Sequence, residues 1–277
     1  MGRVEGNVAF ITGAARGQGR SHAVRLAQEG ADIIAIDICG EVASAPYPMA
    51  TLDDLNQTVK EVEALGRRIV ASQADVRDFE GLKRSLDQGV AELGRLDIVV
   101  ANAGMGSFPG KSEELEEQTW HDLMDIDLTG IWHTTKATIP HMKAAGRGGS
   151  IILTGSTAAL SAIENAAHYV TVKHGVVGLM RALALELAPH RIRVNCVHPT
   201  SCDTDMIQND TVYQLFAPEL DSPTKEQVAD RFFVLHAMPV RWVDPIDVSN
   251  AVLWLASDEA RYVTGVNLPI DAGALLK

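Results

Sequence analysis

Seven short apolar runs divide the chain, and the segments between them constrain its fold more than any other feature. The runs fall at 8–12, 31–36, 68–73, 96–101, 150–154, 193–197 and 266–270. Most are near-continuous in apolar residues rather than alternating, the pattern of strands covered on both faces. Amphipathic helical patterns lie between them at about 18–29, 53–65, 79–93, 113–145 with a break near Asp127, 166–188 and 245–257. This alternation predicts the α/β class: one doubly wound domain over 1–277, with a mainly parallel seven-stranded sheet and helices on both faces. Ligands of such sheets sit beyond the carboxyl ends of the strands, where the winding reverses. Two segments break the rhythm, an inserted loop at about 39–51 and a longer stretch at about 200–238. Long connections of this kind in a compact domain often act as lids or binding loops.

A formal charge of −12 repels phosphate backbones and argues against nucleic acid as a partner. No run of eighteen apolar residues occurs, so no membrane span is expected, and the first residues lack a secretory layout. Cys39, Cys196 and Cys202 form no C-x-x-C pair, which argues against a disulfide framework or zinc site and suits a reducing cytoplasm. No metal-ligand spacing links the histidines either; His168 and His198 read as structural.

The first apolar run ends in Thr12-Gly13-Ala14-Ala15-Arg16-Gly17-Gln18-Gly19, and a helical pattern follows. Glycine lets backbone turn tightly and approach a ligand with no Cβ in the way. The opening helix offers free N–H groups and partial positive charge to a pyrophosphate. The strand before and the helix after make this a Rossmann-type dinucleotide signature. Asp37 ends the second run, where its carboxylate can accept hydrogen bonds from adenosine ribose hydroxyls and would repel a 2′-phosphate. NAD is therefore favoured over NADP, with Arg16 as the one counter-indication because it could meet a phosphate.

Further motifs follow the later runs in order: Asp75-Val76, Asn102-Ala103-Gly104, Ser156, Tyr169-Val-Thr-Val-Lys173, and His198-Pro199-Thr200. With the glycine pattern, these make the chain resemble the short-chain dehydrogenase/reductase family over essentially its full length. The resemblance implies that Ser156, Tyr169 and Lys173 are catalytic. It implies that Lys173 also holds the nicotinamide ribose, that Asn102, Ala103 and Gly104 pack beside the riboses, and that Asp75 and Val76 border the adenine. Pro199, Thr200 and Thr204 would hold the carboxamide. Arg16, Gln18, Ile38, Tyr169 and Met206 complete the expected cofactor contacts.

Elementary chemistry supports the same roles. Tyr169 and Lys173 are four apart and share a helix face. Free tyrosine titrates near ~10, and bringing it to neutrality takes about 4 kcal/mol of differential stabilisation. A neighbouring ammonium and the positively charged ring of the oxidised cofactor favour the phenolate. Ser156 can hold the substrate oxygen against the Tyr169 hydroxyl, and positioned proton transfer contributes ~10²–10⁴-fold.

One position departs from the family. Asp125-Ile126-Asp127-Leu128-Thr129-Gly130 carries Asp127 where the family has Asn, whose side chain helps kink its helix and whose main-chain carbonyl serves a proton relay. Asp127 keeps the carbonyl and loses the amide donor. Ionised, it would favour the Lys173 ammonium; protonated by burial, it would not. It is carried as a catalytic candidate.

The 39–51 insertion with Ala45-Pro-Tyr-Pro-Met49, the Gly17-Gln-Gly-Arg-Ser-His22 turn and His198-Pro-Thr-Ser201 are similar to the carveol-dehydrogenase-like, mycofactocin-dependent group. That resemblance implies tightly held NAD and a peptide-derived redox carrier as partner. The insertion would cover the adenosine side of the cofactor. Met206, Leu215, Phe216, Phe232 and Phe233 offer apolar area for a hydrophobic secondary alcohol or its ketone, terpenoid-like or steroid-like, or else belong to core or interface. A 3-oxoacyl-thioester reductase is a second enzymatic reading, disfavoured by Asp37. A catalytically silent NAD-binding sensor is the reading from another class. Family resemblance also implies a homotetramer, with 113–145, 166–188 and the last strand at its interfaces.

Overall fold

A computed structural model of the chain describes residues 2–106 and 110–277. The expected strands are present as β1 (Val8–Thr12), β2 (Asp32–Asp37), β3 (Ile69–Gln73), β4 (Ile98–Ala101), β5 (Gly149–Thr154), β6 (Ile192–Pro199) and β7 (Asn267–Ile270). They form one sheet in the order β3-β2-β1-β4-β5-β6-β7, with every pairing parallel. The winding reverses between β1 and β4, and the cleft described below opens beyond their carboxyl ends.

Both faces of the sheet are covered, which is why its strands read as apolar runs. Side chains alternate across a strand, so Phe10 and Ile11 enter different cores. Phe10, Ile34, Val99 and Ile151 pack with α3 (Phe79–Leu93), α5 (Gly130–Ala145) and α6 (Ala167–Leu187). Ile11, Ile33, Ile98 and Ile152 pack with α1 (Gly17–Gln28), α2 (Leu52–Glu63) and α9 (Pro245–Ala256). A capping box between Thr51 and Asp54 starts α2 where the inserted loop ends.

The expected break near Asp127 is a π-helical turn, Asp125–Thr129, between α4 (Glu117–Met124) and α5. The helix begins at Glu117 rather than 113. Residues 113–116 hold three glutamates and only the partly buried Leu115, too little apolar anchorage for another turn.

Residues 200–238 contain two short helices that the sequence pattern did not announce, α7 (Asp210–Phe216) and α8 (Lys225–Ala229). They enclose a small core of Val212, Tyr213, Ala217, Val228 and Phe232, with Phe216 stacked on Phe232 at 4.1 Å. Helices this short show barely two turns of apolar periodicity, so they read as loop. Among the described residues, no helix is long and apolar enough to cross a membrane.

Candidate active site

One cleft at the carboxyl edge of the sheet is lined by every catalytic and cofactor-binding candidate named from the sequence. Its floor is the glycine turn. Gly13 and Gly17 have φ of +66° and +55°, which disfavour any other residue. A Cβ on Gly19 would stand 1.9 Å from the Gly13 carbonyl oxygen, so close packing of turn on helix also requires glycine there. The buried Oε1 of Gln18 has no hydrogen-bond partner among the described residues. Such an atom calls for a donor from outside the chain.

The strand ends are stitched together beneath this turn. Thr12 Oγ1 accepts from the backbone N–H groups of Asn102 and Ala103, each at 3.0 Å. Asn102 Nδ2 donates to the carbonyls of Thr12 at 3.1 Å and Gly13 at 3.3 Å. The Asn-Ala-Gly motif thus braces β1 against β4. Asp37 ends β2, with Oδ2 accepting from Ala15 N–H at 2.9 Å and Oδ1 from Cys39 N–H at 3.1 Å. It ties the glycine turn to the start of the insertion. Asp75 is held by Arg77 through Nε at 2.8 Å and Nη2 at 2.7 Å.

Arg16 answers the question raised by its sequence position. Its guanidinium meets the Asp205 carboxylate at 2.9 Å and donates to the Pro48 carbonyl at 2.5 Å. It therefore bridges the insertion and the 200–238 segment instead of lying open to a phosphate. Tyr47 enters the cleft from the same insertion and is buried. Its hydroxyl accepts from Gly106 N–H at 2.9 Å, and burial pushes its ionisation up to about 12. Tyr47 was missed from the sequence; the Pro-Tyr-Pro run marked the loop but not its direction. Met49, Met105, Met206 and Ile207 give the cleft apolar walls. Of the residues expected to offer apolar contact from 200–238, Met206 lines the cleft. Phe216 and Phe232 instead pack in their own core, and Leu215 is exposed.

At the reacting end, α6 presents Tyr169 and Lys173 on one face. The Lys173 ammonium lies 5.5 Å from the Tyr169 ring centre. It is also paired with Asp127, Nζ to Oδ2 at 2.9 Å, with both residues at most 5% exposed. Asp127 Oδ1 accepts from Met105 N–H at 2.9 Å. Burial pulls the Lys173 ionisation down, but the Asp127 carboxylate, with smaller contributions from Tyr169 and Cys196, makes the net shift upward. The π-helical turn carries Asp127 into this position, a recurrent use of such turns. Ser156 follows β5, and its Oγ accepts from Ala158 N–H at 3.2 Å. His198 Nδ1 lies 2.9 Å from the Ser156 carbonyl, and Nε2 lies 3.0 Å from Asn267 Oδ1. The imidazole thus positions Ser156 from β6 and stays outside the cleft lining.

A glycine turn and a paired Tyr-Lys helix face at one switch-point cleft have recognisable relatives. The family profile described as short chain dehydrogenase matches residues 7–212.

The chain belongs to the short chain dehydrogenase family.

Within that family it is 54% identical over 277 residues to (-)-trans-carveol dehydrogenase of Rhodococcus erythropolis, covering all of both chains. The crystal structure of carveol dehydrogenase from Mycobacterium avium in complex with NAD superposes with a TM-score of 0.99 at 58% identity, again over the whole of both chains. A short chain dehydrogenase from Mycobacterium paratuberculosis bound to NAD gives a TM-score of 0.91 at 46% identity, with full coverage of both. This short chain dehydrogenase therefore shares its whole length, insertion included, with those relatives.

Proposed function

We propose that the chain oxidises a hydrophobic secondary alcohol to its ketone with NAD, and runs the reverse reduction, using Tyr169 as the acid/base. The observation that carries this reading is the convergence of Ser156, Tyr169 and the Lys173–Asp127 pair on the cleft that also holds the glycine turn and Asp37.

The residues present suit NAD. The orphaned Gln18 Oε1 and the turn that only glycine fits form a cradle for a dinucleotide. Asp37 stands where ribose hydroxyls would donate to it, and Arg16 is engaged by Asp205. Gly13, Gly17 and Gly19 would receive the pyrophosphate, Asp75, Val76 and Ile38 the adenine side, and Asn102, Ala103 and Gly104 the riboses. Pro199, Thr200, Thr204 and Met206 would border the nicotinamide. When bound, NAD supplies the hydride acceptor.

The protein's own groups manage the proton and the geometry. Ser156 holds the substrate oxygen. Tyr169 takes the alcohol proton as phenolate and returns it to a ketone as phenol. Lys173 favours the charged phenol oxygen and would hold the nicotinamide ribose. The methionine-rich wall accepts the carbon skeleton and excludes water. Adaptable thioether side chains suit an irregular apolar substrate, and the carveol dehydrogenase relatives support a terpenoid-like one.

The insertion at 39–51 serves as the cofactor cover and 200–238 as the substrate lid, joined through Arg16. This arrangement supports retained NAD re-oxidised by a peptide-derived carrier such as mycofactocin. Exposed Trp132 on α5, Leu185 on α6 and Leu276 near the end support a homotetramer. The free thiols of Cys39, Cys196 and Cys202 support a cytoplasmic setting.

A screen of secondary alcohols with NAD, NADP and an artificial acceptor tests the reading. Turnover of a terpenoid-type alcohol with NAD, and loss of turnover with retained NAD binding in Tyr169→Phe, are expected. An NADP preference or an active Tyr169→Phe would overturn it.

A further inference from the structure

Asp127 is the group in this site whose chemistry the reaction does not require and whose placement is most constrained. It is 1% exposed, and its two carboxylate oxygens meet Lys173 Nζ and Met105 N–H at 2.9 Å each. A Cβ on Gly104 would stand 3.0 Å from Oδ2, so the strand-end glycine leaves room for it. The Lys173 ammonium of this pair lies over the Tyr169 ring, 5.5 Å from its centre.

Among the described residues, the other titratable groups around Tyr169 are held neutral near pH 7, and burial lowers the ionisation of the neighbouring His168. Tyr47 faces it from the insertion, and Cys196 underlies Lys173 from β6; burial pushes each up to about 12. Burial chiefly, and Lys173 in addition, hold His198 below its usual range. Arg16 acts on Tyr47 from the mouth of the cleft but is itself paired with Asp205, and Arg181 acts on Cys196 from further along α6. Among the described residues, the charges next to Tyr169 are therefore those of Lys173 and Asp127, to which oxidised NAD would add its own equally in both enzymes compared below.

We propose that Asp127 is a positioning residue that sets the protonation threshold of Tyr169. Its carboxylate cancels much of the Lys173 charge, so the phenol keeps its proton to higher pH than a lone ammonium behind it would allow. This rests on the assignment of Tyr169 as the acid/base. Opposite charges within a few ångströms move an ionisation by roughly one to three pH units, and the carboxylate removes part of that effect. Carbonyl reduction, which needs the Tyr169 proton in place, then stays available across neutrality. Alcohol oxidation, which needs the phenolate to take the hydroxyl proton, rises only on the alkaline side.

The test is the pH dependence of kcat for alcohol oxidation at saturating NAD, in the intact enzyme and in Asp127→Asn. The amide oxygen can still accept from Met105 N–H, so the side chain keeps its shape while its charge, and with it the acceptor for Lys173, is removed. The rising limb should move to lower pH by about one unit, and Tm should fall, because the buried Lys173 ammonium loses its partner. Superposable profiles, or a shift to higher pH, would overturn the proposal. A second readout needs no folded variant at Asp127. The phenolate absorbance difference between the intact enzyme and Tyr169→Phe reports the Tyr169 midpoint directly. A midpoint at or below neutrality would equally overturn the proposal. An active Tyr169→Phe would sink the acid/base reading itself. An inactive one with unchanged Asp127→Asn profiles would sink this inference alone.

Discussion

The two walls of the cleft hold their residues by different means. The wall made by the ends of β1, β2, β4 and β5 is held by the sheet. Its residues sit on strands buried on both faces, and backbone hydrogen bonds from Asn102 and Ala103 to Thr12 join neighbouring strand ends. The wall made by 39–51 and 200–238 is anchored by backbone bonds at the ends of 200–238, from Thr200 to Ile270, between Val243 and both Ser201 and Asp203, and from Ala237 and Met238 to Ala272, and is otherwise held largely by side chains. Ser44 donates to Asp122 at 2.6 Å, Tyr47 accepts from Gly106, and Arg16 bridges Pro48 and Asp205. The core of 200–238 around Phe232 is separate from the two cores of the sheet, whereas Val42 and Ala50 of the insertion join them. Many cooperative backbone bonds make one wall rigid. Backbone anchorage at the ends and side-chain links between them make the other a region that can open locally without unfolding the whole.

Substitutions can break this contrast, and the largest effect belongs to the rigid wall. Gly19→Ala puts a methyl group 1.9 Å from a backbone oxygen that has nowhere to move. NAD binding, followed by cofactor fluorescence, should be lost. An unchanged affinity would show that this wall yields after all.

Phe232→Ala should be large but confined. Truncating a buried aromatic costs about 3–5 kcal/mol of packing. Limited proteolysis should then cut within 200–238 and KM for a bulky alcohol should rise, while NAD affinity falls far less than in Gly19→Ala. A global loss of Tm matching the full packing cost would mean that the core of 200–238 is not independent.

Arg16→Ala should be modest. The Arg16–Asp205 pair is partly exposed, and such pairs contribute about 0.2–1 kcal/mol. NAD release in stopped flow should quicken by at most about fivefold, with kcat little altered when release is not limiting. A far larger effect would make this link the dominant hold between the insertion and 200–238.

The smallest effect at neutral pH concerns the rigid half. His22 of α1 is fully buried against Ser249 of α9, and burial lowers its ionisation to about 3. The unfolded chain binds its proton near pH ~6.5. His22 therefore contributes stability above that pH, lost as pH falls from there toward about 3. Tm measured against pH should decline over this window, and less steeply in His22→Gln. Parallel slopes would remove His22 as a cause.

Legibility followed the same division between the walls. The seven strands, the glycine turn, Asp37, the Asn102–Gly104 motif and the Tyr169–Lys173 pair could be read because each sits at a strand end or on one helix face. In a parallel sheet, local position along the chain implies position at the carboxyl edge. The short helices at 210–216 and 225–229 could not, because a few residues carry no period. Nor could the fate of Phe216 and Phe232, since an apolar residue in an irregular segment reads alike whether it faces substrate or its own core.

The pattern of apolar runs and strand-end motifs was thus enough for the fold, the family and the ring of residues around the cleft. Tertiary structure decided what those residues do to one another. It sent Arg16 to Asp205 and Pro48, turned Tyr47 inward onto Gly106, and brought the buried Asp127 to within 2.9 Å of Lys173. The reason is range. Backbone periodicity is a property of neighbours in sequence, whereas the partner of a charge depends on which distant segments the fold folds over it, and on whether water is left between them.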